Sequence, residues 1–280
     1  MPAFKIFATT LCLLASSAAF ADDPLPRAKP EEVGFSSERL ARIGETLKAD
    51  IDAGRIPGAV IAIARHGKLV MFDAYGWRDK AAGVAMTTDT IFNIASMTKP
   101  MTTVGALMLY ERGKILMDDP LAKYFPQFAQ MRVTVRDAGE PTTDTVPANR
   151  PITIQDLMRH TSGLVYGGRG TTLVHKMYPA GSGDAGRDYD GAAFTDKLAS
   201  LPLLYQPATV WDYGFGLDVL GLTIEQISKQ SLGAYLQANL FAPLGMTDTG
   251  FSISADKAAR YAKPLPAGYI LWTSVVPRPP

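Results

Sequence analysis

A helical pattern followed by a tight hairpin, near the start of the chain, limits the possible folds most strongly. Ser36 precedes apolar residues spaced about one helical turn apart, which predicts a capped amphipathic helix. The apolar runs 58–65 and 68–77 then flank His66-Gly67, which predicts two antiparallel strands joined by a tight turn. Helix and hairpin together indicate a sheet with a helix packed against it.

Helical patterns dominate the chain beyond this hairpin. They cover residues from about 95 to 112, a short helix capped by Thr153, and the segments 216–230 and 232–242. The expected buried face of the first of these helices consists of Met97, Met101, Val104, Leu107 and Met108. Residues 161–191 are rich in glycine and lack periodicity, so a long loop is predicted there. The fold class expected is α/β plus all-α.

Composition and charge narrow the class of protein. The chain has 280 residues, 47% of them hydrophobic, with 28 Lys and Arg against 27 Asp and Glu. This suits a globular chain with a large core. The near-neutral balance gives no electrostatic reason to expect binding to nucleic acid or to an anionic membrane surface. The single Cys12 excludes an intramolecular disulfide, and three scattered histidines predict neither a catalytic metal nor another cofactor.

Residues 1–21 have the pattern of a secretory signal peptide. Lys5 precedes an apolar stretch, and small residues lead to a cleavage site after Ala21. The stretch is too short to span a membrane, and the context of Cys12 is poor for a lipid anchor, so no stable membrane anchor is expected. A buried N-terminal helix is the alternative. The signal-peptide interpretation predicts a periplasmic or secreted protein.

The tetrapeptide Ser96-Met97-Thr98-Lys99 is the strongest candidate for chemistry. Three residues apart at a helix start, the Ser96 and Lys99 side chains share one face. A lysine can take the proton of a serine hydroxyl and make it a nucleophile. The backbone N–H of Ser96 can also point at a developing oxyanion. The alternative interpretation is a helix cap with a solvated lysine. No G-x-S-x-G elbow is present, which disfavours the common serine esterase fold.

Four segments in order resemble the serine β-lactamase-like family, which contains class C β-lactamases, D-Ala-D-Ala carboxypeptidases and family VIII carboxylesterases. They are FNIASMTKPMTTVGALMLYERGKILMDDPLAKYFPQF (92–128), ITIQDLMRHTSGL (152–164), PATVWDYGFGLDVLG (207–221) and FAPLGMTDTGF (241–251). The resemblance covers about 30–263. It implies a β-lactamase/transpeptidase-like fold, in which helices flank an antiparallel sheet beside a helical region.

The resemblance also implies roles for individual residues. Ser96 is similar to the nucleophile of the family, Lys99 to its base partner, and Tyr213 to a second proton handler that passes a proton to the leaving group. A core tyrosine beside Trp211 is the alternative for Tyr213. His160 occupies a turn that is mainly structural in the family. The candidate substrate-binding residues are Phe215, Trp211 and Tyr166.

The sequence departs from the family at two places. Where the family often has Tyr-x-Asn, this chain has Tyr213-Gly214-Phe215, so an apolar ring replaces an amide. A site without that amide should disfavour β-lactams and peptides. In the 67 residues after Tyr213, no Lys-Thr-Gly, His-x-Gly or Trp-x-Gly motif occurs. We therefore expect a truncated chain with an incomplete sheet and without one oxyanion donor.

These observations lead to one expected function and two alternatives. The expected function is a serine carboxylesterase for short-chain esters, acting through an acyl-Ser96 intermediate on a small-molecule ester or amide. The alternatives are a β-lactamase or D,D-peptidase, and a non-catalytic remnant. An open sheet edge would favour a homodimer. The expected division is a signal peptide (1–21), an N-terminal part of the α/β region (22–90), a helical region with the catalytic motifs (91–263) and a divergent tail (264–280).

Overall fold

The computed structural model describes residues 25–137 and 139–265. These residues belong to two compact units, one reaching up to Asn93 and resuming at Ser254, the other comprising Ile94–Ile253. Residues 254–263 thus lie in the first unit, whereas the sequence-based division grouped them with the helical region. The predicted signal peptide and all but the first two residues of the predicted tail lie outside the described residues. No helix in the described part of the chain is both long and apolar enough to cross a bilayer.

The first unit contains the predicted helix and hairpin. Its elements are helix α1 (Ser37–Asp52) and strands β1 (Gly58–Arg65), β2 (Lys68–Asp79) and β3 (Val84–Ala85). Ser36 caps α1, because its hydroxyl accepts a hydrogen bond from the Arg39 backbone N–H at 3.3 Å. The strands form an antiparallel sheet in the order β1-β2-β3. His66 and Gly67, which join β1 to β2, both have positive φ, at 53° and 69°. This is the backbone of a type I′ turn, so the hairpin prediction is confirmed.

The second unit is mainly helical, with one hairpin. Its strands are β4 (Arg132–Asp137) and β5 (Glu140–Pro147), which pair antiparallel. Its helices are α2 (Thr98–Glu111), α3 (Ile154–Arg159), α4 (Leu173–Met177), α5 (Ser182–Asp188), α6 (Gly191–Ala199), α7 (Gly216–Ser228) and α8 (Leu232–Leu236). The first predicted C-terminal helix corresponds to α7, and the second to α8 with the wider helical turn that follows it. Ser231 caps α8, because its hydroxyl accepts a hydrogen bond from the Ala234 N–H.

Helix α7 is the centre of this unit, where it packs against α2, α3 and α8. Its length of 13 residues includes seven buried ones, among them Val219, Leu220 and Ile224 with no exposed surface. Burying large aliphatic side chains is the dominant favourable contribution to folding. The helices that carry the candidate site are therefore held by a common core.

The predicted buried face of α2 is right for Met101, which is half-buried against the core, and wrong for most of the other residues. Met97 and Leu107 are 68% and 41% exposed, whereas Thr102, Gly105, Ala106 and Leu109 are buried. A Cβ at Gly105 would lie only 2.7 Å from the Leu236 side chain. Where α2 touches α8, this close contact requires a glycine, and Val104 and Leu107 lie on exposed faces of the helix.

Residues 161–191 are not a long loop, as the sequence predicted, but contain α4, α5 and a 3-10 turn at Gly167–Arg169. Apolar side chains tie this segment to the core even though they follow no helical period. The buried members are Leu164, Val165, Tyr166, Val174, Tyr178 and Ala185. Glycines in this segment permit close backbone contacts and interrupt the helical spacing of the buried side chains. The sequence therefore shows no helical period here.

Candidate active site

The turn that leads into α2 carries Ser96. A 3-10 turn, Ala95–Met97, runs directly into α2 at Thr98, and Ala95 has an unusual positive φ of 43°. Left-handed backbone at a non-glycine residue is strained and is concentrated at functional sites. One helical turn on, the Lys99 ammonium donates to Ser96 Oγ at 3.3 Å. The predicted Ser–Lys pair is therefore in contact.

Tyr213 approaches the same hydroxyl from far along the chain. Its phenol donates to Ser96 Oγ at 2.5 Å, and Lys99 Nζ lies 4.8 Å from the centre of its ring. Burial would raise the pKa of Tyr213, but hydrogen bonding with Lys99 and Ser96 and the charge of Lys99 lower it below its ordinary value. Ser96, Lys99 and Tyr213 thus form one hydrogen-bonded cluster with a phenol that gives up its proton more readily than in water.

His160 and Gly214 hold the Tyr213 loop. His160 ends α3 in the left-handed region, at φ 57°, and its ring lies 4.6 Å from that of Tyr213. The Gly214 backbone N–H donates to His160 Nδ1 at 3.3 Å. A side chain at position 214 could not fit, since its Cβ would lie 2.1 Å from the Leu164 carbonyl oxygen. This packing explains why glycine follows the tyrosine.

The protonation state of His160 suits this structural position. Burial, aided by the positive charges of Lys99 and Arg169, lowers its pKa to about 4. The imidazole is therefore neutral near pH 7, and its Nδ1 is free of a proton to accept the Gly214 bond. The guanidinium of Arg169 lies over the Tyr213 ring at 5.1 Å. Sequence reasoning missed Arg169, because residues 161–191 carry no motif that marks one side chain.

Asp156 anchors the helix that ends at His160. It forms a capping box with Thr153, the predicted cap, whose N–H and hydroxyl donate to Asp156 Oδ2 at 2.9 and 2.8 Å. Its other oxygen accepts from Arg150 at 2.8 Å and Thr161 at 3.0 Å. Burial would raise the pKa of this fully buried carboxyl, but these donors hold it below its ordinary value. The ionised carboxylate ties both ends of α3 together.

The three candidate substrate-binding residues differ in accessibility. Trp211 is 63% exposed beside His160 and Tyr213 and is free to contact a ligand. Tyr166 is 6% exposed, and its hydroxyl is bonded to Asp218 Oδ2 at 2.8 Å and to Ser182 Oγ at 2.7 Å. Its ring supports Lys99, whose Nζ lies 5.7 Å from the ring centre. Tyr166 is thus placed to position Lys99.

Phe215 does not line the substrate site, contrary to the expectation from the Tyr-x-Asn comparison. Its side chain has no exposed surface. The ring packs edge-on against Tyr166 at 4.4 Å and Phe194 at 5.1 Å, and it stacks on Tyr178 at 6.5 Å. Because Phe215 begins α7 with its side chain turned into the aromatic core, the apolar substitution contributes to packing.

Replacing Phe215 by asparagine should therefore destabilise the protein rather than change its substrate. We expect a loss of about 3 kcal/mol or more in the free energy of unfolding, because a large core side chain is lost and an amide is buried. Urea unfolding followed by circular dichroism measures this. Phe251→Asn is the control, since Phe251 is 58% exposed and should change stability little. A stable Phe215→Asn variant that hydrolyses β-lactams would contradict this interpretation and would show that position 215 contacts the substrate.

A cavity of about 420 Å³ lies beside Lys99 within the second unit. Thr98, Lys99 and Thr102 of α2 form one side, and residues of α5, α6, α7 and α8 form the others. No cluster of three or more potential metal ligands occurs anywhere among the described residues. The site thus combines a serine, its two hydrogen-bonding partners and an adjacent cavity.

The family model "Beta-lactamase" matches residues 43–271. The chain belongs to the beta-lactamase family. Protein Rv1367c of Mycobacterium tuberculosis is 40% identical over 217 residues, which are 78% of this chain and 53% of that protein. Esterase EstB of Burkholderia gladioli is 36% identical over 225 residues, 80% of this chain and 54% of EstB. The chain thus spans about half the length of these curated relatives.

Solved structures support the β-lactamase/transpeptidase-like fold. EstCE1, a hydrolase with promiscuous acyltransferase activity, superposes with a TM-score of 0.67 at 28% identity, covering 80% of this chain and 56% of EstCE1. Unliganded Simvastatin Synthase (LovD) from Aspergillus terreus has a TM-score of 0.66 at 29% identity, covering 81% of this chain and 58% of LovD. The predicted fold class, an antiparallel sheet with flanking helices and a helical region, is confirmed.

Proposed function

We propose that the protein is a serine hydrolase, and specifically a carboxylesterase for short-chain esters that works through an acyl-Ser96 intermediate. One observation carries this proposal: Ser96 Oγ lies 3.3 Å from Lys99 Nζ and 2.5 Å from the Tyr213 hydroxyl. A nucleophile needs a base to remove its proton, and the leaving alcohol needs an acid. Both kinds of partner are within hydrogen-bond reach of the same oxygen.

Before acylation, the Lys99 ammonium gives a proton to solvent and becomes a neutral amine. Ser96 Oγ then attacks the ester carbonyl carbon while its own proton passes to Lys99. The backbone N–H of Ser96, at the start of α2, donates to the developing oxyanion. The tetrahedral intermediate then breaks its bond to the alkoxide, which takes a proton from Tyr213. The lowered pKa of Tyr213 makes it a better proton donor in this step.

Deacylation reverses these roles. A water molecule attacks the acyl carbon and gives its proton to the Tyr213 phenolate. Ser96 leaves the tetrahedral intermediate and recovers its proton from the Lys99 ammonium. The products are a carboxylic acid and the alcohol released earlier, and all three side chains return to their starting states.

Two features support an ester rather than a β-lactam or a peptide as substrate. The position that often carries the amide in the resembling family is the buried Phe215, so no amide from that position is available to a substrate. Buried polar groups of a substrate that find no partner cost affinity. The relative EstB is named an esterase, which agrees with this choice.

The decisive experiment compares two chromogenic substrates on the purified chain. We expect hydrolysis of p-nitrophenyl butyrate with a kcat/KM at least about a hundredfold above that for nitrocefin. Ser96→Ala provides the background rate for both substrates. Preference for nitrocefin would identify a β-lactamase instead, and equal rates in wild type and Ser96→Ala would exclude the proposed enzyme.

A further inference from the structure

The cavity beside Lys99 is lined by apolar side chains together with several polar ones. Phe194 of α6, Leu217 and Leu222 of α7, and Leu232 of α8 supply apolar walls. Its volume of about 420 Å³ lies in the range of small-molecule sites. A largely apolar lining of this kind gains most from an apolar ligand, because contact removes hydrocarbon from water.

Two of the polar groups that line the cavity, in Ser182 and Asp218, are already hydrogen-bonded within the protein. Asp218 Oδ2 and Ser182 Oγ both bond to the Tyr166 hydroxyl, at 2.8 and 2.7 Å. A ligand entering the cavity therefore does not have to supply a partner for these two atoms. These two bonds also hold the Tyr166 ring next to Lys99. The same hydrogen bonds therefore position both the cavity wall and the reactive lysine.

Lys99 connects the cavity to the nucleophile. Its side chain lines the cavity, and its Nζ lies 3.3 Å from Ser96 Oγ. Tyr213 is not among the described residues that line the cavity, although it bonds to the same serine oxygen. The serine is thus flanked by the cavity on the Lys99 side and by the proton donor on the Tyr213 side.

We propose that this cavity holds the acyl chain of the ester substrate. The assignment rests on the proposed function, in which the alcohol must leave toward Tyr213 to receive its proton. The acyl group, which stays bonded to Ser96, then extends along Lys99 between α2 and α7. The matching substrate class is esters of unbranched acids longer than acetate, such as butanoate and hexanoate.

A series of p-nitrophenyl esters with one leaving group tests this assignment. From acetate through butanoate to hexanoate, kcat/KM should rise about fourfold for each methylene that the cavity buries. Leu222→Trp fills the cavity and should lower the ratio of the hexanoate to the acetate kcat/KM about tenfold. Gln226→Trp, an exposed position on the same helix outside the cavity, is the matched control and should leave the ratio unchanged.

A second variant tests the same cavity in case Leu222→Trp does not fold. Leu222→Ala widens the cavity and should move the preferred substrate toward octanoate, and thermal unfolding reports whether each variant is folded. A ratio that stays constant in folded Leu222→Trp and Leu222→Ala would overturn the acyl-chain assignment while leaving ester hydrolysis intact.

A binding measurement separates this inference from the proposed function. Isothermal titration of the Ser96→Ala variant with sodium hexanoate should show binding about tenfold or more tighter than with sodium acetate, and Leu222→Trp in that background should remove the difference. If esters are not hydrolysed yet this pattern appears, the proposed function fails and takes the acyl-chain role with it, while the cavity is shown to bind alkyl chains. If hexanoate and acetate bind equally, the cavity assignment fails whatever the hydrolysis rate.

Discussion

Ser96→Ala should lower ester hydrolysis by about a million-fold, the effect that removal of a nucleophile has in serine hydrolases that act through a catalytic unit. Ser96 Oγ accepts hydrogen bonds from both Lys99 and Tyr213 and is the atom that attacks the ester, so without it these two residues have no nucleophile to act on. The fold should be unaffected, because the side chain is exposed and lies outside the core. Initial rates with p-nitrophenyl butyrate measure this loss.

Covalent labelling tests the assignment of Ser96 as the nucleophile without relying on turnover. A fluorophosphonate probe should modify wild-type protein once, and peptide mass spectrometry should place the adduct on Ser96. Ser200→Ala is the control, since Ser200 is exposed at the end of α6 and its loss should not change labelling. An adduct that persists in Ser96→Ala would refute the nucleophile assignment.

Lys99→Met and Tyr213→Phe should each lower kcat about a thousandfold, within the range that general acid–base groups contribute. Methionine replaces the apolar stem of the lysine side chain and removes its amine, and phenylalanine keeps the ring that lies 4.6 Å from His160. The double variant should lose much less than the product of the two effects, because both groups serve the same proton transfers. Rates and thermal unfolding should be measured together, since loss of rate without loss of stability isolates the chemistry.

The pH profile distinguishes Tyr213 from a residue that only supports the fold. As a proton donor Tyr213 must be protonated, so wild-type kcat should fall as the pH rises through its lowered pKa. Tyr213→Phe should lack this alkaline decrease. Tyr110→Phe, at a position 46% exposed on α2, is the control and should keep it. An unchanged profile in Tyr213→Phe would remove Tyr213 from the mechanism.

Interactions within a few residues were readable from the sequence. The caps by Ser36, Thr153 and Ser231 each join a side chain to a backbone N–H three residues later. The contact of Lys99 with Ser96 is equally local, because residues three apart on a helix share a face. Such contacts depend on backbone geometry that the neighbouring residues determine, so a pattern in the sequence is sufficient to predict them.

Contacts across long sequence separations were accessible only through the family resemblance or not at all. Tyr213 lies 117 residues from Ser96, and the resemblance alone suggested that they meet. Nothing local marks Arg169 over the Tyr213 ring or Asp218 bonded to Tyr166. These positions result from how α7 packs on α2 and α3, which depends on the shapes of many side chains at once.

The sequence by itself determined the hairpin, the capped helices and the serine–lysine pair, because each follows from backbone preferences and periodicity over a few residues. Only the tertiary structure decided which apolar residues are core. Phe215 is buried and Leu107 exposed, although both are apolar residues within predicted motifs. The difference arises because burial depends on which faces of α2 and α7 meet other elements, and close packing admits glycine at 105 and 214 where larger residues would collide.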